Sequence, residues 1–148
     1  MRVQQIRNIL QLVQQRHQTL QDNLGLAELK TTDRTTADFI SDLRRHEQHW
    51  GSVIRTYLQQ GNAGILNTWI QLTPDLDLPD HAYSDAASAD HDCEAAALAV
   101  CEFHKRMERL YGSLTAAVSV PSVRDFLQRL LRLEQTIVTE RAWAARIV

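Results

Sequence analysis

The chain has little of what interrupts or cross-links a polypeptide: five glycines, three prolines and two cysteines in 148 residues. Few glycines and prolines leave few places where a helix has to stop. Cys93 and Cys101 lie eight positions apart, which on one helix is about 12 Å. A disulfide needs Cα atoms within roughly 7 Å, so these two cannot pair with each other, and they read as buried free thiols. No apolar run approaches the length of a membrane span, so no membrane contact is expected. Met1 to Gln18 is polar at nearly every second residue and lacks the apolar centre of a signal peptide, so the expected compartment is the cytoplasm. The net charge is −2 and no basic patch stands out, which argues against a nucleic-acid partner. What the chain does have is Gln, Leu, Arg and Ala in quantity, with 44% hydrophobic and 23% charged residues. That is the make-up of one globular helical domain over residues 1–148.

Four segments carry helical periodicity. The first spans about Val3 to Leu29, with an apolar stripe of Ile6, Ile9, Leu10, Val13, Leu20, Leu24 and Ala27. A polar turn from Lys30 to Arg34 supplies Thr and Asp for capping. The second spans about Thr36 to Gln60, with Phe39, Leu43, Trp50, Ile54 and Tyr57, and Gly61 follows as a C-cap. Residues 61–83 hold two prolines and several aspartates and read as a long connection, with a helical turn around Ile65 to Leu72. The third helix spans about Ser84 to Ala117, with Leu98, Cys101, Met107, Tyr111 and Leu114. Pro121 opens the fourth, about Ser122 to Arg146, with Phe126, Leu127, Leu130, Ile137 and Val138. Short first and third links make antiparallel neighbours. The long second link can return the chain along a helix of roughly 37 Å, the length of about 25 residues. The expected fold is therefore an all-α, antiparallel four-helix bundle with one long crossover between helices 2 and 3.

A shift of 87 residues lays the second half of the chain on the first. Asp38, Phe39, Leu43, Arg45, Glu47 and Gln48 fall on Asp125, Phe126, Leu130, Arg132, Glu134 and Gln135. Thr35 falls on Ser122, each three residues before an Asp, as in a capping arrangement. His17 falls on His104, and Leu20 on Met107. Each half is thus one helical hairpin carrying a His and, 30 residues later, a Glu.

These four polar residues lie on apolar stripes. His17 is four after Val13 and three before Leu20; Glu47 is four after Leu43 and three before Trp50. His104 is four after Val100 and three before Met107; Glu134 is four after Leu130 and three before Ile137. Residues at those spacings share a helix face. All four fall near mid-helix, so an antiparallel bundle brings them to one level. Buried carboxylates need partners. Protonated histidines would serve, and so would a Zn, Fe or Mn ion held by imidazole nitrogen and carboxylate oxygen.

The layout of helices and core residues resembles the ferritin-like superfamily, and most closely its rubrerythrin-type branch, over most of the chain apart from the long connection. In that family helices 1 and 3 each give a Glu, and helices 2 and 4 each give a Glu-x-x-His, to hold two metal ions. Glu47 and Glu134 match. Trp50 and Ile137 stand where the family has histidine, and His17 and His104 stand where it has glutamate. Tyr111 occupies a position where such helices often carry a tyrosine. The resemblance implies a metal site at His17, Glu47, His104 and Glu134, while the loss of carboxylates argues against the family's usual oxygen or peroxide chemistry. No Cys-x-x-Cys motif for a rubredoxin-like module is present.

Other candidates have plainer readings. His46 and His49 fall at the stripe edge, His81 and His91 in or near the connection, and Glu94 on a helix surface. Cys101, one turn before His104, reads as a small core residue, and Trp50, Trp69 and Trp143 as packing or interface residues. Two functions are compatible with this pattern. One is a divergent ferritin-like metalloprotein. The other is a non-catalytic bundle with a degenerate metal site that acts by association, with a homodimer as the expected partner state.

Overall fold

The computed structural model describes residues 2–72 and 93–141. Over these the chain is mostly helical, in the order β1 (Arg2–Gln5), α1 (Ile6–Lys30), α2 (Arg34–Gln60), α3 (Ala63–Leu66), β2 (Trp69–Leu72), α4 (Cys93–Ala117) and α5 (Pro121–Arg141). Residues 73–92 and 142–148, and with them His81, His91, Trp143 and the expected outer ends of helices 3 and 4, lie outside the described residues.

Each long helix forms where the sequence offers an uninterrupted apolar stripe. On α1 the stripe Ile6, Ile9, Leu10, Val13, Leu20, Leu24 and Ala27 is buried throughout, with His17 in its centre. The three residues 31–33 separate α1 from α2. Asp33 closes the start of α2 by accepting hydrogen bonds from the Thr36 backbone N–H at 3.0 Å and its hydroxyl at 2.6 Å. The cap is therefore Asp33 and not Thr35, which lies inside the helix. The carboxylate at position 33 reaches the backbone two to three residues on, whereas position 35 is already helical.

The two hairpins repeat in the folded chain as they do in the sequence. Adding 87 to Lys30 and Arg34 gives Ala117 and Pro121, the end of α4 and the start of α5. Ile9, Leu10, Val13, Leu20, Leu24 and Ala27 correspond to Ala96, Ala97, Val100, Met107, Tyr111 and Leu114, and all twelve are buried. On the partner helices Ile40, Leu43 and Glu47 correspond to Leu127, Leu130 and Glu134, again all buried. One core encloses both hairpins.

Within the first hairpin, Arg44 meets Glu28 at 3.1 Å, and Gln21 donates to the Glu47 backbone carbonyl at 3.2 Å. Contacts that descend α1 ascend α2, so the two run antiparallel. Gly51 leaves room for that glutamine, since a Cβ there would lie 2.6 Å from Gln21 Nε2. Between hairpins, Tyr57 near the end of α2 packs edge-on against Phe126 near the start of α5, ring centroids 5.9 Å apart.

Three sequence expectations need correcting. Residues 2–5 are strand rather than the first turn of α1. They pair antiparallel with Trp69–Leu72, in the register Arg2↔Leu72 to Gln5↔Trp69. The stretch read as one helical turn from Ile65 to Leu72 is instead the short α3, capped by Asn62 accepting from Gly64 N–H, followed by that strand. Alternation in Trp-Ile-Gln-Leu puts Ile70 against the core and leaves Trp69 64% exposed. Leu98 was placed in the core stripe of α4 but is 53% exposed. It lies six residues before His104, well off that face at 100° per residue. The core stripes also contain Ile40 on α2 and Phe103 on α4, both fully buried.

Candidate functional site

The four polar residues expected to converge do so. His17, Glu47, His104 and Glu134 are each no more than 1% exposed, and they are the buried polar side chains among the described residues. α1 supplies His17, α2 Glu47, α4 His104 and α5 Glu134, each from mid-helix.

They form a closed ring of alternating histidine and glutamate. His104 donates from Nδ1 to Glu134 Oε2 at 2.7 Å and from Nε2 to Glu47 Oε1 at 2.6 Å. Ionised carboxylates only accept, so both ring nitrogens of His104 carry protons and the residue is an imidazolium. The remaining oxygens face His17: Nδ1 lies 3.9 Å from Glu47 Oε2, and Nε2 lies 3.7 Å from Glu134 Oε1. Each carboxylate thus turns one oxygen to each histidine. The ring is chemically symmetric and geometrically lopsided, since the His17 contacts are ion pairs too long for hydrogen bonds.

Phe103 closes one side. Its ring stands edge-on to His17 at 5.0 Å and to His104 at 5.3 Å, and the two imidazoles lie 5.7 Å apart. Such a neighbour excludes water and strengthens the charges inside. Burial is the largest influence on His104 and opposes its charge, but Glu47 and Glu134 together outweigh it and push it up to about 10. His17 is raised in the same way against burial and against the charge of His104. Burial would raise both carboxyls, yet His104 and then His17 hold Glu134 below the usual range and Glu47 down to about 2. The raised histidines and the lowered carboxyls thus favour one another's charged forms, the direction of a charge-balanced ring. Tyr111 is also fully buried; burial first and the Glu134 charge second raise its phenol well above 10.

The donor set of two imidazoles and two carboxylates suits a transition metal in kind. A metal-ligating histidine, however, presents a bare nitrogen to the ion. His104 has committed both of its nitrogens to carboxylates at hydrogen-bond distance. Among the described residues no group of three or more His, Cys, Asp or Glu side chains is arranged to hold a metal ion. The atoms in this ring without a hydrogen-bonding partner are His17 Nδ1 and Nε2, Glu47 Oε2 and Glu134 Oε1.

The secondary candidates stay apart from the ring. His46 is exposed and pairs with Asp42 at 3.6 Å, and His49 is exposed against Trp50. Glu94 is exposed, and Cys101 is buried and not in a disulfide. Phe103 is the one site residue not singled out from the sequence. Its signal is its place immediately before His104 on the broad apolar face of α4. No helix among the described residues is long and apolar enough to cross a membrane. No known protein family matches the chain, and no curated protein or solved structure matches it.

Proposed function

We propose that this chain is a divergent ferritin-like bundle whose central site has become a metal-free ring of two imidazoliums and two carboxylates, and that it acts as a helical scaffold through association. The observation that carries this reading is the double hydrogen bond of His104 to Glu134 and Glu47 at 2.7 and 2.6 Å, which leaves it no lone pair to give an ion.

Helix directions support the ferritin-like part. α1 and α2 run antiparallel, and Tyr57 on Phe126 places the start of α5 beside the end of α2. α5 then runs with α1, and α4, its hairpin partner, runs with α2. Successive helices that run the same way need a connection that traverses the bundle, which is the crossover topology. Exposed apolar side chains support association: Leu26 and Leu29 on α1 are 47% and 84% exposed, and Trp69 projects from β2. A homodimer is the proposed assembly.

Replacing the whole ring tests the reading, for example with His17→Leu, Glu47→Met, His104→Leu and Glu134→Met together. The expected result is a folded protein of equal or higher stability, by up to about 1–4 kcal/mol, that sediments as the same dimer. A folded variant that no longer associates, or a wild-type chain that stays monomeric at micromolar concentration, contradicts the scaffold role.

One observation favours a second reading, metal binding by His17, Glu47, His104 and Glu134. The unpartnered nitrogens of His17 face two unpartnered carboxylate oxygens. For an Fe, Zn or Mn ion to bind there, the His104 hydrogen bonds would have to open and both histidines lose a proton.

A further inference from the structure

The two hairpins repeat in their cores and diverge on their surfaces. The 87-residue shift lays Asp42 on Arg129, a reversal of charge. Asp42 pairs with Arg45 and His46, both at 3.6 Å. Arg129 makes no hydrogen bond or ion pair among the described residues. It borders a cleft of about 530 Å³ where α2, α3 and α5 meet. Small-molecule pockets commonly span roughly 300–1,000 Å³.

The apolar body of this cleft comes from Val53 and Tyr57 on α2, Ile65 on α3 and Phe126 on α5. The Tyr57 and Phe126 rings meet edge-on and give it flat, stiff walls. Its free polar groups are hydrogen-bond donors. Arg129 carries the charge. Asn62 accepts from Gly64 N–H through Oδ1 at 2.7 Å, and its amide hydrogens stay free to donate. The Tyr57 hydroxyl has no hydrogen-bonding partner among the described residues. No acidic side chain among the described residues lines the cleft.

We infer that this cleft binds a small aromatic carboxylate, its ring against Tyr57 and Phe126 and its carboxylate on Arg129 and Asn62. A guanidinium gives a carboxylate two parallel hydrogen bonds, and a flat ring packs well on aromatic side chains. A simple anion would leave the apolar walls unfilled, and a neutral aromatic would leave the charge of Arg129 unmatched. The cleft shares no residue with the ring of His17, Glu47, His104 and Glu134, so its occupancy is independent of the metal-free ring and of the scaffold role.

Titration of full-length wild-type protein with 1-naphthoate, followed by calorimetry, tests this, with 1-naphthamide and acetate as comparisons. The expected result is saturable binding of one 1-naphthoate per chain with a Kd below about 1 mM. Loss of the charge in 1-naphthamide is expected to weaken binding about ten- to a hundredfold. Arg129→Gln, a change on the surface, should weaken 1-naphthoate by a similar factor and bring the two ligands to equal affinity. Arg132→Gln, on the same helix and outside the cleft, should leave both affinities as in wild type. Failure of wild type to bind 1-naphthoate in that range would overturn the site. Equal affinity of wild type for 1-naphthoate and 1-naphthamide would overturn the role of Arg129. Acetate binding as tightly as 1-naphthoate would reduce the cleft to a general anion site and overturn the aromatic assignment.

Discussion

At the scale of the residue, the ring works because each charge is matched by two others. Taking out one member leaves a buried charge unpaired, while removing the full set leaves none. His104→Ala is therefore expected to cost about 3–5 kcal/mol in urea unfolding. A loss below about 1 kcal/mol would mean that the short bonds to Glu47 and Glu134 do not form. Tyr111 presents the opposite case. Its hydroxyl is buried without a hydrogen-bonding partner, so Tyr111→Phe is expected to leave stability unchanged or raise it by up to about 1 kcal/mol. A clear loss in the same unfolding assay would show that the hydroxyl has a partner. The four ring residues were legible in the sequence because a polar residue on an apolar stripe stands out against its i±3 and i±4 neighbours. The inequality of His17 and His104 was not. Val13 and Leu20 flank one histidine as Val100 and Met107 flank the other, and a difference of about an ångström in reach leaves no trace in that pattern.

At the scale of the element, local chemistry decides where helices begin and end. Asp33 holds the start of α2 through the Thr36 N–H and hydroxyl, and those bonds keep its carboxyl below the usual range. A depressed carboxyl stabilises above its unfolded value, 3.8, and loses that contribution as pH falls through its folded value. Asp33→Ala is accordingly expected to lower the melting temperature at neutral pH, with the gap to wild type closing on acidification below 3.8. A constant gap would contradict the cap. Gly61 ends α2 with ordinary extended backbone angles, so its requirement is space. A Cβ there would lie 2.7 Å from Leu66 Cδ1 and 3.0 Å from the Tyr57 carbonyl oxygen. Gly61→Ala is expected to cost about 1–3 kcal/mol by overpacking, read from chemical denaturation. The helices were legible from their period. The β1–β2 ribbon was not, because each strand has four residues and its pairing joins positions 64 to 70 apart. Ile6 N–H donating to the Thr68 carbonyl at 3.0 Å continues that pairing into α1. Nothing local in Val3-Gln4-Gln5 reports it.

At the scale of the whole molecule, the ring joins one side chain from each of the four long helices at a common point, so its titration is expected to show in global stability. Raised histidines stabilise fully below 6.5 and lose that contribution as pH rises through their folded values, about 10 for His104. Depressed carboxyls stabilise fully above 4.5 and lose it as pH falls, toward about 2 for Glu47. All four contribute together between 4.5 and 6.5. Unfolding free energy is expected to be greatest in that window and to fall steadily from 6.5 toward 10, a decline that the quadruple apolar variant lacks. The mostly helical make-up and the hairpin repeat could be read from composition, period and the 87-residue shift. The chemistry at the centre could not, because protonated histidines and a metal ion answer the same two buried carboxylates. Elemental analysis of protein purified after growth in medium supplemented with iron, zinc and manganese separates them most directly. The ring described here predicts far less than one metal ion per chain. One ion per chain, lost when Glu134→Ala is introduced, would contradict it.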